Sequence, residues 1–120
     1  MESDVAIKRL SALAQDSRLA VFRLLVKAGH DGIAAGEIAR VLKITPNTLS
    51  AQLTILSNAG MVTSRREGRS IIYAAGYDAM SELLVYLMED CCQGRSEICG
   101  PLADVAMRGA CCEIPEGSPA

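Results

Sequence analysis

The chain has no tryptophan, one phenylalanine, three tyrosines and one histidine, and its first ninety residues contain no cysteine. With so few aromatics a core must be assembled from Leu, Ile, Val, Ala and Met, which suits small helical packing better than a β-sandwich. The one histidine, His30, has no nucleophile beside it. There is also no Gly-rich phosphate loop and no carboxylate pair placed in an evident pocket, so an enzyme is not expected. No apolar run approaches the roughly 20 residues that span a bilayer, and the start, Met1-Glu2-Ser3-Asp4, lacks the basic and apolar regions of a secretory signal. The expectation is a cytoplasmic protein with no membrane partner. At 120 residues, half of them apolar, there is room for one compact domain, marginal as a monomer and helped by dimerisation.

A basic excess is missing too, since the formal charge is −2. Its distribution is uneven. Residues 1–39 are neutral, residues 40–76 carry +4 through Arg40, Lys43, Arg65, Arg66 and Arg69 against Glu67, and residues 77–120 carry −6. A basic middle between neutral and acidic ends is what a local DNA-contact surface requires.

The periodicity predicts five helices and a hairpin. Ala6, Leu10, Leu13 and Ala14 mark the first helix. Asp16 or Ser17 can cap a second that carries Leu19, Phe22 and Val26 on one face, broken by Gly29-His30-Asp31-Gly32. Ala35, Ile38, Ala39 and Leu42 give a short third helix. After Lys43-Ile44, Thr45 is a plausible N-cap and Pro46 suits the first helical position, so a fourth helix is expected from Pro46 to about Asn58, with Leu49, Leu53 and Leu56 facing inward and Gly60 ending it. Two β-prone runs follow, Met61–Arg66 and Ser70–Ala74, joined through Glu67-Gly68-Arg69. The segment from Tyr77 to about Cys92 returns to helix, with Met80, Leu83, Leu84, Leu87 and Met88 as an apolar stripe that needs a partner surface.

Two helices joined by a short turn and followed by a basic hairpin describe a winged helix-turn-helix, mainly α with a small β-hairpin wing. The leucines of the fourth helix leave Asn47, Ala51, Thr54 and Asn58 on its outer side, with Thr48 and Ser50 on the shoulders and Gln52 at the core edge. Short hydrogen-bonding side chains suit a helix laid in the major groove of double-stranded DNA. The candidate DNA contacts are Thr45, Asn47, Thr48, Ser50, Ala51, Gln52 and Thr54, with Lys43, Arg65, Arg66 and Arg69 neutralising phosphates.

The cysteines cluster at the other end, in Glu89-Asp90-Cys91-Cys92-Gln93-Gly94-Arg95-Ser96-Glu97-Ile98-Cys99. Trivalent arsenic or antimony prefers three soft thiolates in a pyramid, and Cys91, Cys92 and Cys99 lie within nine positions. Neighbours on a regular helix point about 100° apart, so the pair converges only if the helix frays or bends, which Gly94 permits. Cys111 and Cys112 are a secondary candidate in a turn-rich tail. Structural zinc, a disulfide, a redox or persulfide switch and inert thiols are the competing readings. The division expected is residues 1–92 for DNA binding and dimerisation, and residues 93–120 as a tail completing the sensor.

Leu13-Ala14-Gln15-Asp16-Ser17-Arg18-Leu19, Gly36-Glu37-Ile38-Ala39, Leu49-Ser50-Ala51-Gln52-Leu53 and the run from Gly60 through Tyr73 resemble the ArsR/SmtB family over roughly residues 6–90. The resemblance implies a homodimeric winged-helix repressor, paired through its first and last helices, that leaves an operator when a metal or metalloid binds. The seam would use Leu10, Met80, Leu83, Leu84, Leu87 and Met88. Two sites familiar in that family cannot form. The third-helix cysteines are replaced at positions that correspond to Ala34 and Gly36, and the last-helix zinc site needs histidines this chain lacks. The segment from Cys91 to Cys99 resembles the C-terminal three-cysteine arrangement of arsenite-sensing members. The expected function is a metalloid-responsive repressor on an inverted repeat with As(III) or Sb(III) as inducer. A thiol-redox or persulfide-sensing repressor, or a metalloid-binding carrier, stands as the alternative.

Overall fold

The structure, a computed structural model of the chain, describes residues 1–88. Five helices run as α1 (Ser3–Leu13), α2 (Asp16–Ala28), α3 (Ala35–Leu42), α4 (Pro46–Asn58) and α5 (Tyr77–Met88). Three strands, β1 (Ile33–Ala34), β2 (Val62–Glu67) and β3 (Ser70–Ala75), form an antiparallel sheet in the order β1-β3-β2. A single 3-10 turn, Gly29–Asp31, links α2 to β1. The first compact unit spans Met1–Tyr86. The domain boundary expected at residue 92, and all five cysteines, lie outside the described residues.

α4 forms where the sequence signals it. The Thr45 side chain accepts a hydrogen bond from the Thr48 amide at 3.3 Å, and Pro46 opens the helix where a missing N–H costs nothing. Leu49, Leu53 and Leu56 are all buried. They join Val21, Leu25, Ile38 and Met61 in a core without a buried charged side chain. Each such side chain contributes about 1.5–3 kcal/mol when fully buried.

α2 departs from expectation in two respects. Its cap is Gln15, whose side-chain oxygen accepts from the Arg18 amide at 3.0 Å, while Asp16 lies inside the first turn, where a carboxylate complements the helix dipole. Its buried face is Val21, Phe22 and Leu25, whereas Leu19 and Val26 are 44% and 39% exposed. The face is rotated because α2 is the central helix, packed against α1, α3, α4 and β3 together.

The wing gains a strand. β1 is two residues long, too short for a visible alternation, and pairs Ile33 with Tyr73 and Ala34 with Ile72. β2 and β3 pair from Val62 with Ala75 to Glu67 with Ser70, leaving Gly68 and Arg69 as the tip. The base of the hairpin is buried at Val62, Ala74 and Ala75, and its distal half is exposed. The wing therefore projects from the core.

Candidate nucleic-acid interface

The helix-turn-helix is α3, the connection Lys43-Ile44-Thr45, and α4. Lys43 takes a left-handed conformation, φ 57°, which stops α3, and the Ile44 amide donates to the Ala39 carbonyl at 3.0 Å. Such a reversal delivers α4 with its leucines inward and the other side to solvent. Asn47, Thr48, Ser50, Ala51, Thr54 and Asn58 are exposed together on that side.

The hydroxyls are not equally available. Thr45 donates to the Thr48 hydroxyl at 2.9 Å, and Thr54 donates back to the Ser50 carbonyl at 2.9 Å, so both spend their proton within the helix. Asn47, Ser50 and Asn58 show no side-chain partner among the described residues and keep their donors and acceptors for a ligand. Ala51 offers a methyl, the group that meets thymine C5-methyl in a major groove. Gln52 is half-buried, and its amide oxygen accepts from Arg18 Nη1 at 3.2 Å. The sequence placed it among the DNA contacts; here its carbonyl is committed to the protein.

The cations divide in the same way. Lys43, Arg66 and Arg69, expected to neutralise phosphates, are exposed and have no ion-pair partner among the described residues. Arg40 pairs with Glu37 one turn away, and the hydrogen bond from its guanidinium holds the Glu37 carboxyl below the ordinary value of 4.5. Arg65 is spoken for: it bonds Glu67 at 2.7 Å, the Asp31 carbonyl at 2.7 Å and the His30 carbonyl at 3.4 Å. Its expected phosphate contact conflicts with that engagement.

Arg18 is the residue that sequence reasoning missed. Besides Gln52, it donates through Nε to the Ala12 carbonyl at 2.7 Å, tying the end of α1 to the middle of α4. The sequence shows a basic residue in the first turn of α2; nothing in it signals a guanidinium reaching two helices.

The face opposite the core on α1 and α5 is apolar. Ile7 is 61% exposed, Leu10 41%, Leu84 46% and Val85 66%. Leu87 is also exposed, and Met80 and Met88 are partly covered. Leu83, expected at the seam, is 3% exposed and belongs to the core of its own subunit. No group of three potential metal ligands occurs among the described residues, and no described helix is long and apolar enough to cross a membrane.

A reading helix presented by a tight turn, flanked by a projecting basic hairpin, defines a winged helix-turn-helix. Comparison agrees and narrows the class. Residues 13–65 match the helix-turn-helix domain family. The homodimeric winged helix-turn-helix DNA-binding domain of a possible ArsR-family transcriptional regulator from Mycobacterium bovis superposes with a TM-score of 0.60 at 31% identity, covering 72% of this chain and 80% of that one. The nodulation protein NolR of Rhizobium meliloti is 30% identical over 83 residues, 69% of this chain and 66% of its own. A putative arsenical resistance operon repressor of Halobacterium salinarum is 35% identical over 69 residues, 58% of this chain and 51% of its own. The chain thus spans about two thirds of the first relative's length and half of the second's. It belongs to the ArsR family of winged helix-turn-helix transcriptional regulators, whose members bind DNA and are not enzymes.

Proposed function

We propose that this regulator is a metalloid-responsive repressor: a homodimer that holds an inverted-repeat operator and releases it when As(III) or Sb(III) binds Cys91, Cys92 and Cys99. The observation that carries the DNA half is the exposed polar side of α4 beside the uncommitted cations Lys43, Arg66 and Arg69. The apolar surface of α1 and α5 supports pairing with a second copy, as in the homodimeric Mycobacterium bovis domain. Two α4 helices then enter successive major grooves roughly 34–36 Å apart.

The inducer half rests on donor chemistry. Three thiols within nine positions of a chain with a single histidine suit an ion that takes three sulfurs and has little use for imidazole. Each As–S bond made from arsenous acid and a thiol releases one water, so capture needs no added oxidant. The name of the halobacterial relative, a putative arsenical resistance operon repressor, supports the same reading. Because Cys91 stands three residues past Met88, the last residue of α5, filling the site is expected to act on the end of the helix proposed to form the seam. A coupling of about 1–3 kcal/mol weakens operator affinity ~5–150-fold.

The test is operator binding by wild type and by Cys91→Ser, Cys92→Ser and Cys99→Ser, with and without arsenite. Wild type should leave the DNA on arsenite and each variant should stay. If all three variants are released as wild type is, the sensor lies elsewhere. Mass spectrometry after mild peroxide separates a thiol-redox switch from this reading, and a protein showing no salt-sensitive preference for operator over random DNA would be a metalloid carrier.

A further inference from the structure

β2 carries four adjacent polar side chains, Ser64 to Glu67, at the part of the wing that projects farthest from the core. Arg65 is the one whose guanidinium does not point to solvent alone. Its register partner on β3 is Ile72, and Ile72 in turn faces Ala34 of β1, so the three residues form one row across the sheet. From the outer strand of that row, Arg65 reaches back to the turn that precedes β1. Nη2 meets the Asp31 carbonyl at 2.7 Å, Nη1 the His30 carbonyl at 3.4 Å, and Nε the Glu67 carboxylate at 2.7 Å.

The turn is a firm anchor. Gly32 donates to the Gly29 carbonyl at 3.2 Å, and the Gly32 Cα lies so close to β3 that a Cβ there would fall 2.5 Å from the Tyr73 carbonyl oxygen. From the other side Tyr77, the first residue of α5, packs its ring at 4.7 Å from the His30 ring and donates its hydroxyl to the Val26 carbonyl at 3.0 Å, in the last turn of α2. The wing and the start of α5 are therefore fastened to one short piece of backbone.

We propose that Arg65 is a positioning residue for DNA binding: it straps the wing to the Gly29–Gly32 turn, which Tyr77 braces from α5, and so sets the angle at which Arg66 and Arg69 meet the phosphates. The proposal rests on the DNA-binding reading above and adds the part that the sequence assigned differently. A planar guanidinium spreads its donors over three nitrogens in fixed directions, which here meet two carbonyls and a carboxylate separately; an ammonium holds its three donors on one nitrogen and loses that spread. A phosphate contact, in contrast, tolerates lysine.

The experiment measures binding of full-length wild type, Arg65→Lys, Arg65→Gln and Tyr77→Phe to its own promoter fragment by fluorescence anisotropy over a range of salt. Stoichiometric titration counts active dimers in each preparation. A failure of wild type to bind would sink the DNA-binding reading itself and is seen separately. With wild type bound, Arg65→Lys and Arg65→Gln should both weaken affinity roughly tenfold or more, because lost charge-assisted hydrogen bonds are of that size. Because Arg66 and Arg69 no longer meet the phosphates at the set angle, the slope of log affinity against log salt should fall to the same extent in both variants, although lysine keeps the charge. Tyr77→Phe should weaken binding and lower the slope in the same direction, and adding it to Arg65→Gln should cost less than its effect alone, as both act through one turn. The proposal is overturned if lysine restores affinity while glutamine lowers the slope by about 1 per subunit, the signature of a phosphate contact. It is equally overturned if the remaining active dimers bind as wild type does, which would make Arg65 a stabiliser of the fold alone, or if the Arg65 and Tyr77 losses simply multiply.

Discussion

The turn that anchors the wing contains two glycines in nearly the same backbone state and in different surroundings. Gly29 has φ 80° and ψ −167°, and Gly32 has φ 75° and ψ −174°. Both conformations belong to a region that residues with a Cβ enter at a cost of about 1–3 kcal/mol. At Gly29 a Cβ would meet nothing within 4 Å, whereas at Gly32 it would lie 2.5 Å from the Tyr73 carbonyl oxygen and 2.8 Å from the Ile72 Cγ2. The carbonyl belongs to the middle of a paired strand and cannot rotate away, so Gly32→Ala carries a further overpacking cost of about 1–3 kcal/mol. Restriction of the unfolded chain by alanine, worth about 0.4–1 kcal/mol, applies equally at both positions and cancels in their difference. Net of that gain, Gly29→Ala should lose up to about 2.6 kcal/mol and Gly32→Ala about 1–5.6 kcal/mol, against a total of about 5–15 kcal/mol for a typical domain. Urea denaturation at one fixed protein concentration measures both, the fixed concentration being needed because pairing adds to apparent stability. Equal losses at the two positions would refute the reasoning, because they would mean that β3 does not press on the turn.

Leu84, 46% exposed on one subunit, has about half of a leucine's burial energy left to gain, so Leu84→Ala should weaken a symmetric dimer by about 1.5–3 kcal/mol over its two copies, roughly tenfold to hundredfold in dissociation constant. Sedimentation equilibrium checks this, and an unchanged constant would place the seam elsewhere; Leu83→Ala, by contrast, should lose about 2–5 kcal/mol of folding stability as a core truncation. Because the Arg40 hydrogen bond lowers the Glu37 pKa in the folded state, its small stabilisation is fully present above the ordinary value of 4.5 and disappears as pH falls through the lowered one. An NMR titration of the Glu37 carboxyl should show a midpoint that moves up in Arg40→Ala, and identical midpoints would rule out the pairing in solution.

Helices and hairpin were legible because each is written in local terms. α4 announces itself through Thr45-Pro46 and three leucines at helical spacing, and the structure starts and stops it at Pro46 and Asn58. What escaped were features set by neighbours in space. β1 is two residues that become a strand only because β3 lies beside them. The buried face of α2 is chosen by four packing partners at once, which a single apolar stripe does not encode. Leu83 and Leu84 are adjacent on one stripe, yet Leu83 fills its own core while Leu84 stays outside. The reading helix could be drawn from sequence for the same reason as the fold, since its outward side is simply what the leucines leave over. The cysteine trio, also read from sequence, belongs to residues beyond those described.

Charge was the least transferable part of that reading, and the reason is geometric. Counting residues gives the middle of the chain +4, with five bases on offer for DNA. Of these, Arg40 bonds Glu37 and Arg65 bonds Glu67 and two backbone carbonyls, which leaves Lys43 at the helix-turn-helix connection and Arg66 and Arg69 at the wing. Arg18, outside the counted segment, ties the Ala12 carbonyl of α1 to Gln52 of α4. An exposed arginine can saturate carbonyls that a helix end or tight turn leaves unpaired, and a guanidinium with five N–H donors does this for several at once. The same property that makes arginine a good phosphate ligand makes it a good strap between elements. A sum over sequence counts both uses alike, whereas DNA can draw full counterion release only from cations not already neutralised within the protein. Within residues 40–76 the uncommitted positive charge is therefore narrower than the count suggests, and it lies at two places, the start of α4 and the tip of the wing, that a major groove and its flanking backbone can meet together.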